Sequence, residues 1–164
     1  MSDTDLPVHF KQITAANVLD VCRLSLTLSE PQRSIVTDNS VSIAQGHCSA
    51  NAWMRAIYAG ETLVGFVMLH FGSDFDDGID CDGVFLWRLM IAEEHQGKGY
   101  GKQAIQRLTR FLQKQGYQEL YTCYGLGEGS PEHFYKKLGF VETGDGYGDE
   151  PEVVLRFLPP TEVV

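Results

Sequence analysis

Apolar and polar positions change period several times along the chain, and each change marks an element. Residues 8–13, V-H-F-K-Q-I, alternate and predict a first strand. Residues 15–28 carry apolar positions at helical spacing, with Thr14 ahead of them as a helix-capping residue type. Ile35, Val36 and Ile43 are the apolar positions of a second helix predicted over 32–44. Residues 53–59 and 62–71 are strand-like, with Gly60-Glu61 as a short hairpin turn between them. Residues 84–91, V-F-L-W-R-L-M-I, are almost continuously apolar and predict a central strand buried on both faces. Ala104, Ile105, Leu108, Phe111 and Leu112 then repeat at helical spacing, and Gly116 marks the stop. A strand over 119–124, a short helix over 131–138, a strand over 140–143 and a last strand over 153–158, before Pro159-Pro160, complete the pattern.

The strand at 119–124 follows the central strand through a helical crossover, so the two should run parallel. No repeat, linker or low-complexity segment interrupts the chain, and 164 residues suit one domain, 1–164, with its own core. The elements describe an α+β domain with a mixed sheet.

Charge and composition narrow the partners. A net charge of −9 leaves no basic stripe to displace counterions, which argues against nucleic acid and favours cationic ligands. No apolar run approaches the roughly 20 residues of a membrane span, so no membrane partner is expected. The start, M-S-D-T-D-L-P, lacks the basic and apolar regions of a signal peptide. Cys22, Cys48, Cys81 and Cys123 form no C-x-x-C pair, and His47, His70, His95 and His133 show no ligand spacing. A cytosolic chain with no metal centre is the expectation.

Between the central strand and the helix after it lies a glycine-rich turn flanked by Lys98 and Lys102. Glycines let the backbone curl and expose N–H groups, and the helix end adds its dipole, so the turn suits a phosphate or pyrophosphate. A P-loop is excluded, because Gln96 stands where its first glycine should be and Gln103 follows Gly101-Lys102. Gly97, Gly99 and Gly101 give G-x-G-x-G, which also fails the dinucleotide fingerprint.

The spacing that fits is [QR]-x-x-G-x-[GA], present as Gln96-Gly97-Lys98-Gly99-Tyr100-Gly101 behind W-R-L-M-I-A. Downstream stands His133-Phe134-Tyr135-Lys136-Lys137-Leu138-Gly139-Phe140. In these two blocks the chain closely resembles the GNAT superfamily of acetyl-CoA-dependent N-acetyltransferases, best over 52–158, and its general appearance is nearest the polyamine-acetylating branch. The resemblance implies a sheet of six to seven strands with a splayed parallel central pair and about four flanking helices. It implies that Leu89, Met90 and Ile91 offer backbone groups to the pantetheine arm of acetyl-CoA. It places the pyrophosphate on the turn of Gln96, Gly97, Lys98, Gly99, Tyr100, Gly101 and Lys102, and it makes Tyr135 the general acid for the leaving thiolate. GNAT proteins are often dimeric, which makes a homodimer an expectation of the resemblance.

Several positions depart from the family pattern. Gln96 replaces the frequent Arg, with Lys98 and Lys102 as compensating charges. Glu128 stands seven residues before Tyr135, where an Asn is usual, and Ser130-Pro131 reads as a helix entry. Phe85 occupies the position where some relatives carry a glutamate, so the general base is not legible. Glu93 and Glu94 read as solvated loop residues. Arg88, in an otherwise apolar strand, calls for a carboxylate partner, because an unpaired buried charge is costly.

The acceptor is an amine whose identity is left open. Asp74, Asp76, Asp77, Asp80 and Asp82 form one acidic stretch, and Glu142, Asp145, Asp149, Glu150 and Glu152 form another. Both flank sheet strands and could border an acceptor cleft or simply be solvated. A small-molecule amine such as a polyamine, a lysine or N-terminal amine of a protein or peptide, and a non-catalytic acyl-CoA-binding module are the three readings.

Overall fold

The computed structural model describes residues 6–157; Leu158, Pro159-Pro160 and residues 1–5 of the acidic start lie outside the described residues. A single seven-stranded sheet has the order β1-β2-β3-β4-β5-β7-β6. Its strands are β1 (Val8–Lys11), β2 (Ala52–Ala59), β3 (Thr62–Phe71), β4 (Val84–Ile91), β5 (Glu119–Cys123), β6 (Val141–Tyr147) and β7 (Glu150–Arg156). Every neighbouring pair is antiparallel except β4 and β5, which are parallel as the crossover requires. The helices are α1 (Val18–Leu24), α2 (Glu30–Arg33), α3 (Asn39–Cys48), α4 (Tyr100–Lys114) and α5 (Glu132–Lys137).

Alternation along β3 and β4 divides the interior into two cores. Val67 and Leu69 join Leu86 on the face covered by Ala104, Ile105, Leu108 and Leu112 of α4. Phe66 and Met68 join Phe85, Trp87 and Met90 on the face packed with Val21 and Leu28. A strand feeding two cores has no polar face, which is why 84–91 is apolar apart from Arg88. The phase of β4 changes within the strand. Met68 pairs with Arg88 but Leu69 pairs with Leu86, so Trp87 is an extra residue, a bulge that sends Trp87 and Met90 to the same core.

The segment expected as one helix over 32–44 is broken. The turn after α2 runs to Val36, whose N–H donates to the Gln32 carbonyl at 2.9 Å, and Asp38 then turns extended at φ −54, ψ 139 before α3 begins. Asn39 explains the break. It is buried, its side-chain amide donates to the Val21 carbonyl at 2.8 Å, and its backbone N–H donates to Ser25 Oγ at 3.1 Å. Asn and Ser side chains compete with helix bonding in this way. The first helix is also shorter than 15–28, running Val18–Leu24 into a tight turn over Ser25–Thr27. Thr14 closes the preceding turn: its N–H donates to Asn17 Oδ1 at 2.8 Å. β6 outruns the expected 140–143 through a register shift between Glu142 and Gly146, and β7 starts at Glu150 rather than 153. Among the described residues no helix is long and apolar enough to cross a membrane.

Asn39→Ala leaves the buried Val21 carbonyl without its donor and should lower unfolding free energy by about 1–3 kcal/mol. The exposed neighbour Val41→Ala should change it by less than about 0.5 kcal/mol. Urea unfolding of the two variants makes the comparison, and equal stabilities would contradict the role given to Asn39.

Candidate active site

β4 and β5 share one register pair, Phe85 with Tyr121. One side-chain bond lies beyond it, from Thr122 Oγ1 to the Leu86 carbonyl at 2.9 Å. The strands then part at the Trp87 bulge and leave a cleft of about 270 Å³. Trp87, Arg88 and Leu89 form one wall, Cys123 and Tyr124 the other, and Tyr135 of α5 lines it as well. Residues 35–37, between α2 and α3, also line it. This segment is held close to both strand ends. Gln32 exchanges two amide hydrogen bonds with Gln96, at 3.1 and 3.2 Å, and a Cβ on Gly129 would stand 2.7 Å from the Pro31 backbone.

The glycine turn sits at the end of β4. Gly97 and Gly99 have φ of 76° and 83°, and nothing lies within 4 Å of where their Cβ atoms would be. Both are therefore glycine for backbone reasons, and they border open space. Gly101 is different: a Cβ there would meet the Phe134 ring at 3.1 Å, so it lets α4 pack on the H-F-Y-K-K-L-G-F block. The ladder of α4 begins with the Gln103 N–H on the Gly99 carbonyl at 3.0 Å, so earlier N–H groups point out of the helix end. Lys98 is half-buried and Lys102 exposed beside them. Gln96 has a role of its own: its amide donates to the Ile91 carbonyl at 2.9 Å and clamps the turn to the strand end. One of the three backbone positions expected to face a ligand, Ile91, thus has its carbonyl engaged. Leu89 lines the cleft, while the Met90 side chain is buried, its sulfur 3.6 Å from the Asn39 amide.

Tyr135 is 5% exposed and packs among Tyr124, Phe134 and Phe140, its ring stacked on Tyr124 at 5.8 Å. Burial, with Cys123 nearby, pushes its phenol well above the usual tyrosine range. The Cys123 thiol is pushed up to about 12, by burial first and the Glu150 charge second. Both groups thus keep their protons at neutral pH and above.

Arg88 has no carboxylate within ion-pair distance among the described residues, contrary to the sequence expectation. Its Nε donates to Ser42 Oγ at 3.1 Å, Nη1 to the Trp87 carbonyl at 2.8 Å and Nη2 to Gln45 Oε1 at 3.3 Å. The bulge turns Arg88 toward α3, whose neutral oxygens replace a counter-ion. Desolvation lowers its pKa, and the charges of Asp77 and Glu150 oppose that shift. Asp77 and Glu150, one from each acidic stretch, line the cleft. Glu128, Glu93 and Glu94 are exposed. Ser130 Oγ accepts the Glu132 N–H at 3.2 Å, but α5 begins at Glu132 with Pro131 in the cap position, one residue later than an entry with Ser130 as cap and Pro131 first in the helix. Cys123, Thr122 and the 35–37 segment were not singled out beforehand; no local pattern marks a residue whose place in the cleft depends on distant packing.

Four likenesses bear on what this geometry is for. The Acetyltransferase (GNAT) family model matches residues 24–140, and the chain belongs to that family. The spermine/spermidine N(1)-acetyltransferase of Bacillus subtilis is 29% identical over 147 residues, 85% of this chain and 91% of that protein. N-acetyltransferase 8 of Rattus norvegicus is 30% identical over 64 residues, which cover 39% of this chain and 29% of that protein. In fold, the chain matches the PaiA N-acetyltransferase from Thermoplasma acidophilum, solved in complex with coenzyme A, at TM-score 0.64 and 17% identity, over 93% of this chain and all of that one. The protein is an acetyl-CoA-dependent N-acetyltransferase. The parted strands, the open space at Gly97 and Gly99 and the outward N–H groups fit that cosubstrate's extended arm and pyrophosphate.

Gly99→Asp puts a side chain and a negative charge on a left-handed backbone at this turn and should abolish acetyl-CoA binding in a folded protein. Titration calorimetry, with circular dichroism as the folding control, reads the result. Unchanged affinity would remove the turn from the binding site.

Proposed function

We propose that the chain transfers the acetyl group of acetyl-CoA to a primary amine of a small cationic acceptor such as a polyamine, with Tyr135 protonating the leaving thiolate. The observation that carries the reading is a buried, protonated phenol lining the cleft where the parallel strands part. Backbone groups of Leu89, Met90 and Ile91 hold the pantetheine arm. The turn of Gly97, Lys98, Gly99, Tyr100, Gly101 and Lys102 takes the pyrophosphate, and Gln96 fixes that turn in place rather than touching the anion.

The chemistry asks for a neutral amine and a proton for sulfur. An amine with pKa about 10.4 is neutral in only one molecule in a few thousand at pH 7, a cost of about 4–5 kcal/mol. A thiol leaves with a pKa near 8.5, so a phenol within reach can protonate it. Because burial raises the Tyr135 pKa, the donor form persists above the ordinary tyrosine value of about 10 instead of fading there. A polyamine acceptor is supported by the Bacillus relative and by Asp77 and Glu150 in the cleft. Thiol release from acetyl-CoA, assayed against polyamines, amino acids, aminoglycosides and lysine peptides, tests it. Preferred turnover of polyamines is expected; turnover of lysine peptides alone would overturn the acceptor assignment.

Tyr135→Phe should lower kcat about 100-fold or more, with acetyl-CoA affinity changed little. Wild-type kcat in that variant would return Tyr135 to a packing role. In the wild type, kcat should show no loss attributable to Tyr135 ionisation up to about pH 10. A basic limb near pH 8 that vanishes in Tyr135→Phe would contradict the raised pKa.

A further inference from the structure

We propose that Glu150 receives the ammonium group of the acceptor and takes its proton before acetyl transfer. The proposal rests on the amine-acetylating reading above and supplies the base that the sequence left open at Phe85.

Two carboxylates line the cleft, and a third stands beside them on β7. Two of the three are already engaged. Asp77 Oδ1 accepts the Ile79 N–H at 3.1 Å and so holds its own loop. Glu152, 8% exposed, accepts Thr143 Oγ1 at 2.9 Å on one oxygen and the Tyr147 hydroxyl at 2.5 Å on the other. Glu150 differs. Among the described residues its carboxylate accepts no hydrogen bond and joins no ion pair, although it is only partly exposed. Buried and half-buried carboxylates normally find donors, so an unengaged one in a cleft is available to a ligand's N–H groups.

Its position suits that ligand. Glu150 opens β7 opposite Tyr147, and Oε1 lies 3.9 Å from where a Cβ on Gly125 would stand, just beyond the end of β5. Cys123 on the same wall and Arg88 on the opposite wall both feel its charge. The titratable groups around it are Arg88 of β4, Cys123 of β5, Tyr124 just after β5, Tyr135 of α5, Asp77 of the acidic loop, and Tyr147 and Glu152 of the β6–β7 hairpin. Arg88 is the single cation of this set. It disfavours a second positive charge beside it, which pushes an arriving ammonium toward the neutral amine once Glu150 can take the proton.

The step balances. R-NH3⁺ gives one proton to the Glu150 carboxylate; the freed nitrogen lone pair forms an N–C bond to the thioester carbonyl carbon. The C–S bond breaks and sulfur takes the Tyr135 proton. The extra proton on the new amide nitrogen restores the phenol, and Glu150 releases its proton to solvent. The net products are the amide, the free thiol and one proton.

The test is the pH profile of kcat/KM for the wild type, Glu150→Gln, Glu150→Asp and the exposed hairpin control Asp149→Asn, each with its acetyl-CoA affinity. Glu150→Gln should lose about 100-fold or more at pH 7 with acetyl-CoA affinity unchanged. The deficit should shrink about tenfold per pH unit toward pH 10, because solvent then supplies the neutral amine. Glu150→Asp should recover part of the rate at pH 7, and Asp149→Asn should match the wild type. A Glu150→Gln deficit that stays constant with pH, or a wild-type profile in that variant, overturns the proposal; if Tyr135→Phe is impaired in the same assays, the acetyltransfer reading survives it. A wild-type chain that binds acetyl-CoA but turns over no amine overturns both.

Discussion

The parting of β4 from β5 is the constraint on which the rest of the site depends. Parallel neighbours in a sheet ordinarily pair along their length, and here one register pair and one hydroxyl hold them together. The Trp87 bulge prevents the ladder from closing, because it shifts the phase of β4 and carries Arg88 toward α3. Unpaired backbone inside a protein is costly, so a gap of this kind persists only where a ligand or water satisfies it. Three further features maintain it: the Gln96 clamp on the Ile91 carbonyl, the Gly101–Phe134 approach, and the start of the 35–37 segment, where Gln32 bonds Gln96 and the Pro31 backbone packs on Gly129.

Donor binding and chemistry draw on different physics. The glycine turn rests on left-handed backbone at Gly97 and Gly99 and on N–H groups left outside the α4 ladder. The Tyr135 end of the cleft depends on burial, which keeps the protons of Tyr135 and Cys123 in place and leaves Arg88 bonded only to neutral partners. A chain with a net charge of −9 thus places one desolvated cation in the same cleft as two carboxylates. Total charge would not have revealed that arrangement.

What the sequence made legible follows from the range of the interactions involved. The bounds of β4 were readable because both cores draw on one continuous apolar run, and the hairpin at Gly60-Glu61 was readable from local turn chemistry. The glycine turn was legible because Gly97 and Gly99 have a local backbone reason, while Gly101 answers to the distant Phe134 ring. The break at Asp38 was not, since Asn39 leaves the helical pattern for Val21 and Ser25, 18 and 14 residues away. Two of the three partners of Arg88, Ser42 and Gln45, lie more than 40 residues back in the chain, and a lone arginine in an apolar strand argues for a carboxylate where these neutral oxygens stand. β6 runs past 143 because pairing with β7 draws the glycine-containing stretch to Tyr147 into the sheet.

The claim that the parted strands are the acetyl-CoA groove is tested most directly by amide hydrogen exchange, residue by residue, with and without coenzyme A. Protection should rise along Leu89, Met90 and Ile91 and across Gly97 to Lys102, and stay unchanged along β1 and β2. No gain at those amides under saturating coenzyme A, or protection confined to a distant surface, would contradict the account.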